Sequence, residues 1–334
     1  MKAFLQARNI EFSVQRYAVE AVNLMALGLF ASLIVGLILK SAGTGLGLPW
    51  LVQAGAQAQG AMGAAVGLAV AYALKAPPLV LFAAAATGLA GAAAGGPAGC
   101  FLAAAAGTEA GKLVSKTTPA DMIVTPAAAL LAGLAAAQFA GPLVGSAMTA
   151  AGGMIAAAVD WQPVLMGMAV AVVMGMLLTL PLSSAAVAVA LSLDGTAAGA
   201  ATAGGCAQMV GFAVLGFRDN GWGGVLSQAL GTSMLQMPNI VKNPFIWLPP
   251  TLAGAAGGSL AAVLGMENVP YGAGMGSSGL VGQMGTLEAM GNSAGVWLMM
   301  LLLHFVLPAL LTWLIALPLR RSGRIRAGDL KLGA

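Results

Sequence analysis

The stretch GAGMGSSGLVGQMGTLEAMGNSAGVWLMMLLLHFVLPALLTWLIAL, residues 272–317, contains both signals that decide the fold. From Trp297 onward it is almost wholly apolar and close to the roughly 20 residues a helix needs to cross a bilayer. Ahead of it stand glycines at 272, 274, 276, 279, 282 and 285, with Ser277, Ser278 and Gln283 among them. Close packing of small residues accounts for the glycines but needs neither the SSG break nor the glutamine. The stretch therefore predicts a re-entrant or broken segment, which is tolerated at membrane depth only where protein shields it or it lines a cavity.

The rest of the chain repeats this mixture. Only 7% of its 334 residues are charged, against roughly 25% in soluble domains, and its mean hydropathy is +0.92. It reads as an all-α polytopic membrane protein. Crossings are expected near 18–40, 57–75, 78–94, 122–140, 142–159, 162–181, 183–200, 247–265 and 294–318, with 95–116, 203–237 and 270–290 apolar but too rich in Gly, Ser, Thr and Gln for plain lipid-facing helices. About ten transmembrane helices result. The expected organisation is an amphipathic N-terminal segment over 1–16, a transmembrane domain over 17–319 and a basic tail over 320–334. The first apolar run, with no small-residue cleavage site after it, reads as a retained helix.

An internal repeat is expected. AMGAAVGLAVAYALKAPP (61–78) over LMGMAVAVVMGMLLTLPL (165–182) aligns Gly63 with Gly167 and Pro77 with Pro181, and further on sets Gly95 and Gly96 against Gly204 and Gly205. An offset spanning an odd number of passages predicts inverted halves, a common plan of secondary transporters.

Lys2, Arg8 and Arg16 precede the first apolar run, and Arg320, Arg321, Arg324, Arg326 and Lys331 follow the last, so both ends are expected in the cytoplasm. These clusters serve topology and headgroup contact and do not form a nucleic-acid-binding domain. Cys100 and Cys206 suggest neither a disulfide framework nor a metal motif, and no cofactor or metal is expected.

Polar groups inside apolar runs are the candidate functional residues. Glu109 follows Thr108, and Lys112 stands one turn on, so an ion pair competes with a ligand role. Asp194 suits a helix cap and Arg218–Asp219–Asn220 a solvated loop. In SMLQMPNIVKNPFIWLPP (233–250), Gln236, Asn239 and Asn243 are threaded between prolines that break helices and free carbonyls. His304 reads as a packed histidine, with a proton relay as the competing reading. The expected solute site gathers Thr108, Glu109, Gln236, Asn239, Asn243, Gly276, Ser277, Ser278, Gly279 and Gln283.

Across essentially the whole chain, KAPPLV (75–80), GGPAG (95–99), VTP (124–126), LTLPLSSAA (178–186), GWGGVLSQALGTSMLQMPNIVKNP (221–244) and GMGSSGLVGQMGT (274–286) resemble the phosphotransferase-system IIC-like membrane proteins, a family that includes a protein described as a regulator of perfringolysin production. The resemblance implies a transport domain in the bacterial cytoplasmic (inner) membrane, homodimeric, with an elevator-like moving part, carrying a sugar or a related small polar solute. It supplies no residue-by-residue match to the sugar-contacting Glu and His of glucose-type relatives. The sixteen or so residues outside the first and last crossings leave no room for IIA or IIB domains, so phosphotransfer would require a separate IIB-like partner. The chain is then not an enzyme by itself, since no nucleophile, base and orienting group share a motif. A membrane sensor or regulator that binds its ligand without moving it is the alternative.

Overall fold

The structure is a computed structural model in which residues 4–5 and 8–333 are described. Among these residues there is no β-strand, and the chain forms two compact units, Met1–Ala147 and Met148–Ala334. Among the described residues six helices are long and apolar enough to cross a membrane, and two shorter apolar ones accompany them.

Unit 1 begins with α1 (Gln15–Leu46), which carries π-helical turns at Gln15–Ala21 and Phe30–Ile34 and stops at Gly47 in the left-handed region. The N-terminal segment expected over 1–16 lies partly outside the described residues. Residues 10–13 are not helical, so the amphipathic pattern there does not become a regular helix. α2 (Pro49–Gly60) and α3 (Met62–Ala73) follow. Small residues let these helices touch backbone to backbone. A Cβ on Gly36 of α1 would stand 2.7 Å from the Gly55 carbonyl oxygen of α2, and one on Gly28 2.9 Å from that of Ala65 on α3.

α4 (Pro78–Val114) is helical on either side of Gly95 and Gly96, whose φ/ψ of −159°/31° and 57°/−148° leave the helix just before Pro97. A Cβ on Gly91 would lie 2.8 Å from the Cα of Cys100, so the two arms fold back on each other as a hairpin. The crossing expected at 78–94 is the first arm, and within 95–116 the helix is interrupted only at Gly95 and Gly96 before running on to Val114. α5 (Asp121–Val159) passes through Pro126 and Pro142 as one helix, where two crossings were expected. Its alanine-rich sequence favours helix strongly enough to carry the chain past a proline that would otherwise end it.

Unit 2 is built around α6 (Pro163–Thr179), α8 (Gly195–Leu215) and α11 (Leu248–Val263). Between α6 and α8, α7 (Ser184–Ala190) is only seven residues long. The expected crossing at 183–200 is therefore displaced: Ser192 takes a left-handed φ of 48°, Asp194 stands at the N-cap, and the long helix starts at Gly195. Residues 203–215, expected in the membrane but not as a plain lipid-facing helix, lie inside α8, the most enclosed of the long helices. Gly, Ala and Thr on all sides let neighbours close round it. A Cβ on Gly175 would stand 2.8 Å from the Gly204 carbonyl oxygen.

Gly204 and Gly205, aligned in sequence with Gly95 and Gly96, thus lie inside a continuous helix and do not break it. Gly221, at 60°/−159°, interrupts α9 (Phe217–Leu226), which continues as a π-helical turn, Ser227–Gly231. The prolines of 233–250 give two 3-10 turns, Ser233–Gln236 and Pro244–Trp247, flanking α10 (Met237–Lys242). After α12 (Pro270–Ala273) the chain breaks at Gly276, Gly279 and Leu280, with φ of 54°, 53° and 61°, then enters α13 (Val281–Met290). α14 (Ala294–Arg321) is the last span, with a π-helical turn at Leu301–Val306.

Candidate functional site

The predicted residues fall in three places. Thr108 and Glu109 belong to unit 1, on the second arm of α4. Lys112, 2% exposed, lies 2.9 Å from Glu109 Oε2 and also donates to the Asn9 and Leu74 carbonyls at 3.0 and 2.9 Å. Tyr17 Oη donates to Glu109 Oε1 at 2.8 Å. The carboxylate is thus spent on an ion pair that ties α1, α4 and the N-terminal segment together. Thr108 Oγ1 is buried with no hydrogen-bond partner among the described residues.

In unit 2 the glycine-rich break seats against α8. A Cβ on Gly276 would lie 2.7 Å from the Gly205 carbonyl carbon and 3.0 Å from Cys206 N, so glycine is required there by facing backbone as well as by its left-handed φ. Serines hold the carbonyls that the irregular chain exposes. Ser277 donates to Ala229 O at 2.5 Å, Ser278 to Gly231 O at 2.6 Å and Ser184 to Gly274 O at 2.6 Å. Asn268 donates to Gly282 O, Thr202 Oγ1 and Thr286 Oγ1.

Behind this frame stand Gln283 and His304. The Gln283 amide nitrogen lies 3.0 Å from His304 Nδ1 and 3.5 Å from Cys206 Sγ. His304 is fully buried on the π-helical turn of α14, a type of irregularity frequent at functional sites. Gln283 Oε1 and His304 Nε2 have no partner among the described residues. Buried polar atoms are nearly always paired, so two orphans on one bonded pair stand out.

Gln236, Asn239 and Asn243 do something else. Gln236 Nε2 donates to Gln228 Oε1 at 2.7 Å and to Leu330 O at 3.0 Å. Asn239 Nδ2 donates to Gln236 Oε1 and Lys331 O, and Asn243 Nδ2 to Arg324 O and Asp329 Oδ2. Asp219 and Asn220, expected in a solvated loop, accept from the backbone N–H groups of Gly328, Leu330 and Leu332. Ile325 and Leu330 are buried with Phe212, Leu215 and Ile246. The basic tail is therefore a docked part of unit 2, and the proline-broken segment supplies its amide dock.

A third polar set escaped the sequence reading. Gln208 on α8 accepts from Trp247 Nε1 at 3.1 Å and Thr179 Oγ1 at 3.3 Å, and donates to Thr251 Oγ1 at 3.0 Å. A lone glutamine in the small-residue run GGCAQMVGF was the available signal. Among the described residues no group of His, Cys, Asp and Glu could hold a metal.

Residues 19–332 match the family described as phosphotransferase system, EIIC. The chain belongs to the EIIC family. This EIIC protein is a multi-pass membrane component of phosphotransferase-type transport and works with other components of that system. No curated protein and no solved structure matches the chain.

Proposed function

We propose that this EIIC protein moves a small polar solute, a sugar or a related compound, through unit 2, and that the solute is held at Gln283 and His304. The observation that carries the reading is the pair of orphans. With the amide nitrogen facing Nδ1, the proton of the neutral ring sits on Nε2, leaving one donor at His304 Nε2 and one acceptor at Gln283 Oε1. A solute with several hydroxyls satisfies both through different groups, one accepting from Nε2 and another donating to Oε1. Ser277, Ser278, Gly276 and Gly279 act as the frame that positions Gln283. Within unit 1, Thr108 with its orphaned hydroxyl is a polar contact of its own, and Glu109 orients the helix that carries it. The amides of Gln236, Asn239 and Asn243 reach the solute only when the tail leaves them.

Phosphotransfer is assigned to separate IIB-like proteins. His304 and both cysteines are buried, where no phosphoryl donor reaches them. The resemblance to IIC-type relatives supports a homodimer in the bacterial inner membrane, and the basic residues at its two ends support cytoplasmic termini. The sensor reading draws on the docked tail, which gives the protein a segment that a bound ligand could release. Uptake of labelled hexoses and hexitols into proteoliposomes tests transport. Accumulation inside the vesicle that Gln283→Ala abolishes supports a carrier, whereas saturable binding without accumulation supports the sensor and ends the transport claim.

A further inference from the structure

A cavity of about 290 Å³ in unit 1 is lined by Arg8, Asn9, Lys75, Pro77, Lys112, Ser115 and Lys116, four of them cationic. The acidic groups bonded to this set are Glu109, paired with Lys112, and Asp121, whose Oδ1 accepts from Lys116 N and Thr125 Oγ1. Positive charge therefore exceeds negative.

Cations near helix C-termini often only complement the helix dipole and cap carbonyls. Here that work falls to other groups. Arg16 and Lys112 hold the Leu74 carbonyl after α3, and Arg8 donates to the Ser115 carbonyl after α4. Lys75 and Lys116 are exposed, and neither ammonium has a hydrogen bond or salt bridge among the described residues. Lys75 also borders the adjacent cavity that holds Glu20, without bonding to it.

The backbone points the same way. Five non-glycine residues among those described have a left-handed φ, and three of them, Asn9, Lys75 and Lys116, line this one cavity at 55°, 57° and 57°. Such positions usually go to glycine, and a side chain there costs about 1 kcal/mol. A chain with 48 glycines has placed lysine at two of them. Local strain held at a charged cavity is the pattern of a binding site.

We propose that this cavity binds a phosphate group, with Lys75 and Lys116 donating to its oxygens and Lys112 and Arg8 supplying charge from behind. The phosphate belongs either to an anionic phospholipid or to a water-soluble ligand. The test uses the full chain in phosphatidylcholine nanodiscs. In one arm inorganic phosphate is titrated at constant ionic strength and followed by melting temperature; in the other, phosphatidylglycerol is added and retained lipid is counted by native mass spectrometry. Lys75→Gln with Lys116→Gln should weaken whichever ligand binds about tenfold or more, the size expected for losing charge-assisted hydrogen bonds, with an unchanged melting temperature in the absence of ligand. Lys40→Gln, an exposed lysine elsewhere in unit 1, should bind as the wild type does. A phosphate response assigns the soluble source, and phosphatidylglycerol retention alone assigns the lipid. Equal behaviour of wild type and double variant in both arms, or an equal loss in Lys40→Gln, overturns the proposal.

Discussion

Asn239 donates its side-chain amide to the backbone carbonyl of Lys331, 2.9 Å away and 92 residues further along the chain. Gln236 holds the Leu330 carbonyl beside it. Together they make the C-terminal tail part of the core of unit 2, because Leu330 is 1% exposed beneath these bonds.

Replacing Asn239 by alanine leaves the Lys331 carbonyl and Gln236 Oε1 without their donor, a loss of about 1 to 3 kcal/mol. Tryptic cleavage at Arg324 and Arg326 should quicken roughly five- to a hundredfold, since cleavage follows the population of the open form. An unchanged cleavage rate would mean that the tail is held by its apolar residues alone.

Gly276 faces the backbone of Gly205 and Cys206, so both its φ and its surroundings resist a side chain. Gly276→Ala should lower the melting temperature of the solubilised protein by several degrees, and Gly276→Leu should lower expression as well. Gly153→Ala is the control, because a Cβ there meets nothing within 4 Å. Equal melting temperatures for the two alanine variants would refute the close approach.

The Glu109–Lys112 pair makes a third case. Removing the cation alone, as in Lys112→Met, strands a buried carboxylate and should cost about 3 to 5 kcal/mol. Combining it with Glu109→Gln should recover part of that loss. A double variant no more stable than Lys112→Met would show that the lysine acts through Asn9 and Leu74 rather than through the carboxylate.

Much of this architecture was legible in the residues themselves. The breaks at Gly95–Gly96 and across 272–285 could be seen because glycine beside serine and proline cannot propagate a helix, and the Glu109–Lys112 spacing allowed one partner to be named. What could not be seen depends on chain segments far apart in sequence. Gln236, Asn239 and Asn243 were expected to bind solute, and nothing local says that they hold a tail some ninety residues away. The run 183–191 is apolar enough to suggest a crossing, and only the backbone at Ser192 and Asp194 moves the long helix to Gly195. Gly204–Gly205 aligned with Gly95–Gly96 because composition does not distinguish a glycine that breaks a helix from one that lets a neighbour approach it. His304 and Gln283 were both noticed, but 21 residues apart they could not be recognised as a bonded pair.

The Gln283–His304 pair carries the central claim, and solute affinity measured on wild type and Gln283→Ala tests it most directly. The purified protein is titrated with a panel of hexoses, hexitols and sugar acids and followed by melting temperature and calorimetry. At least one compound should stabilise the wild type, and its affinity should fall about tenfold or more in Gln283→Ala, as expected for a buried hydrogen bond left unmade, while the unliganded melting temperatures stay within a few degrees. Equal affinity in the variant, or no response of the wild type to any member of the panel, would contradict the account.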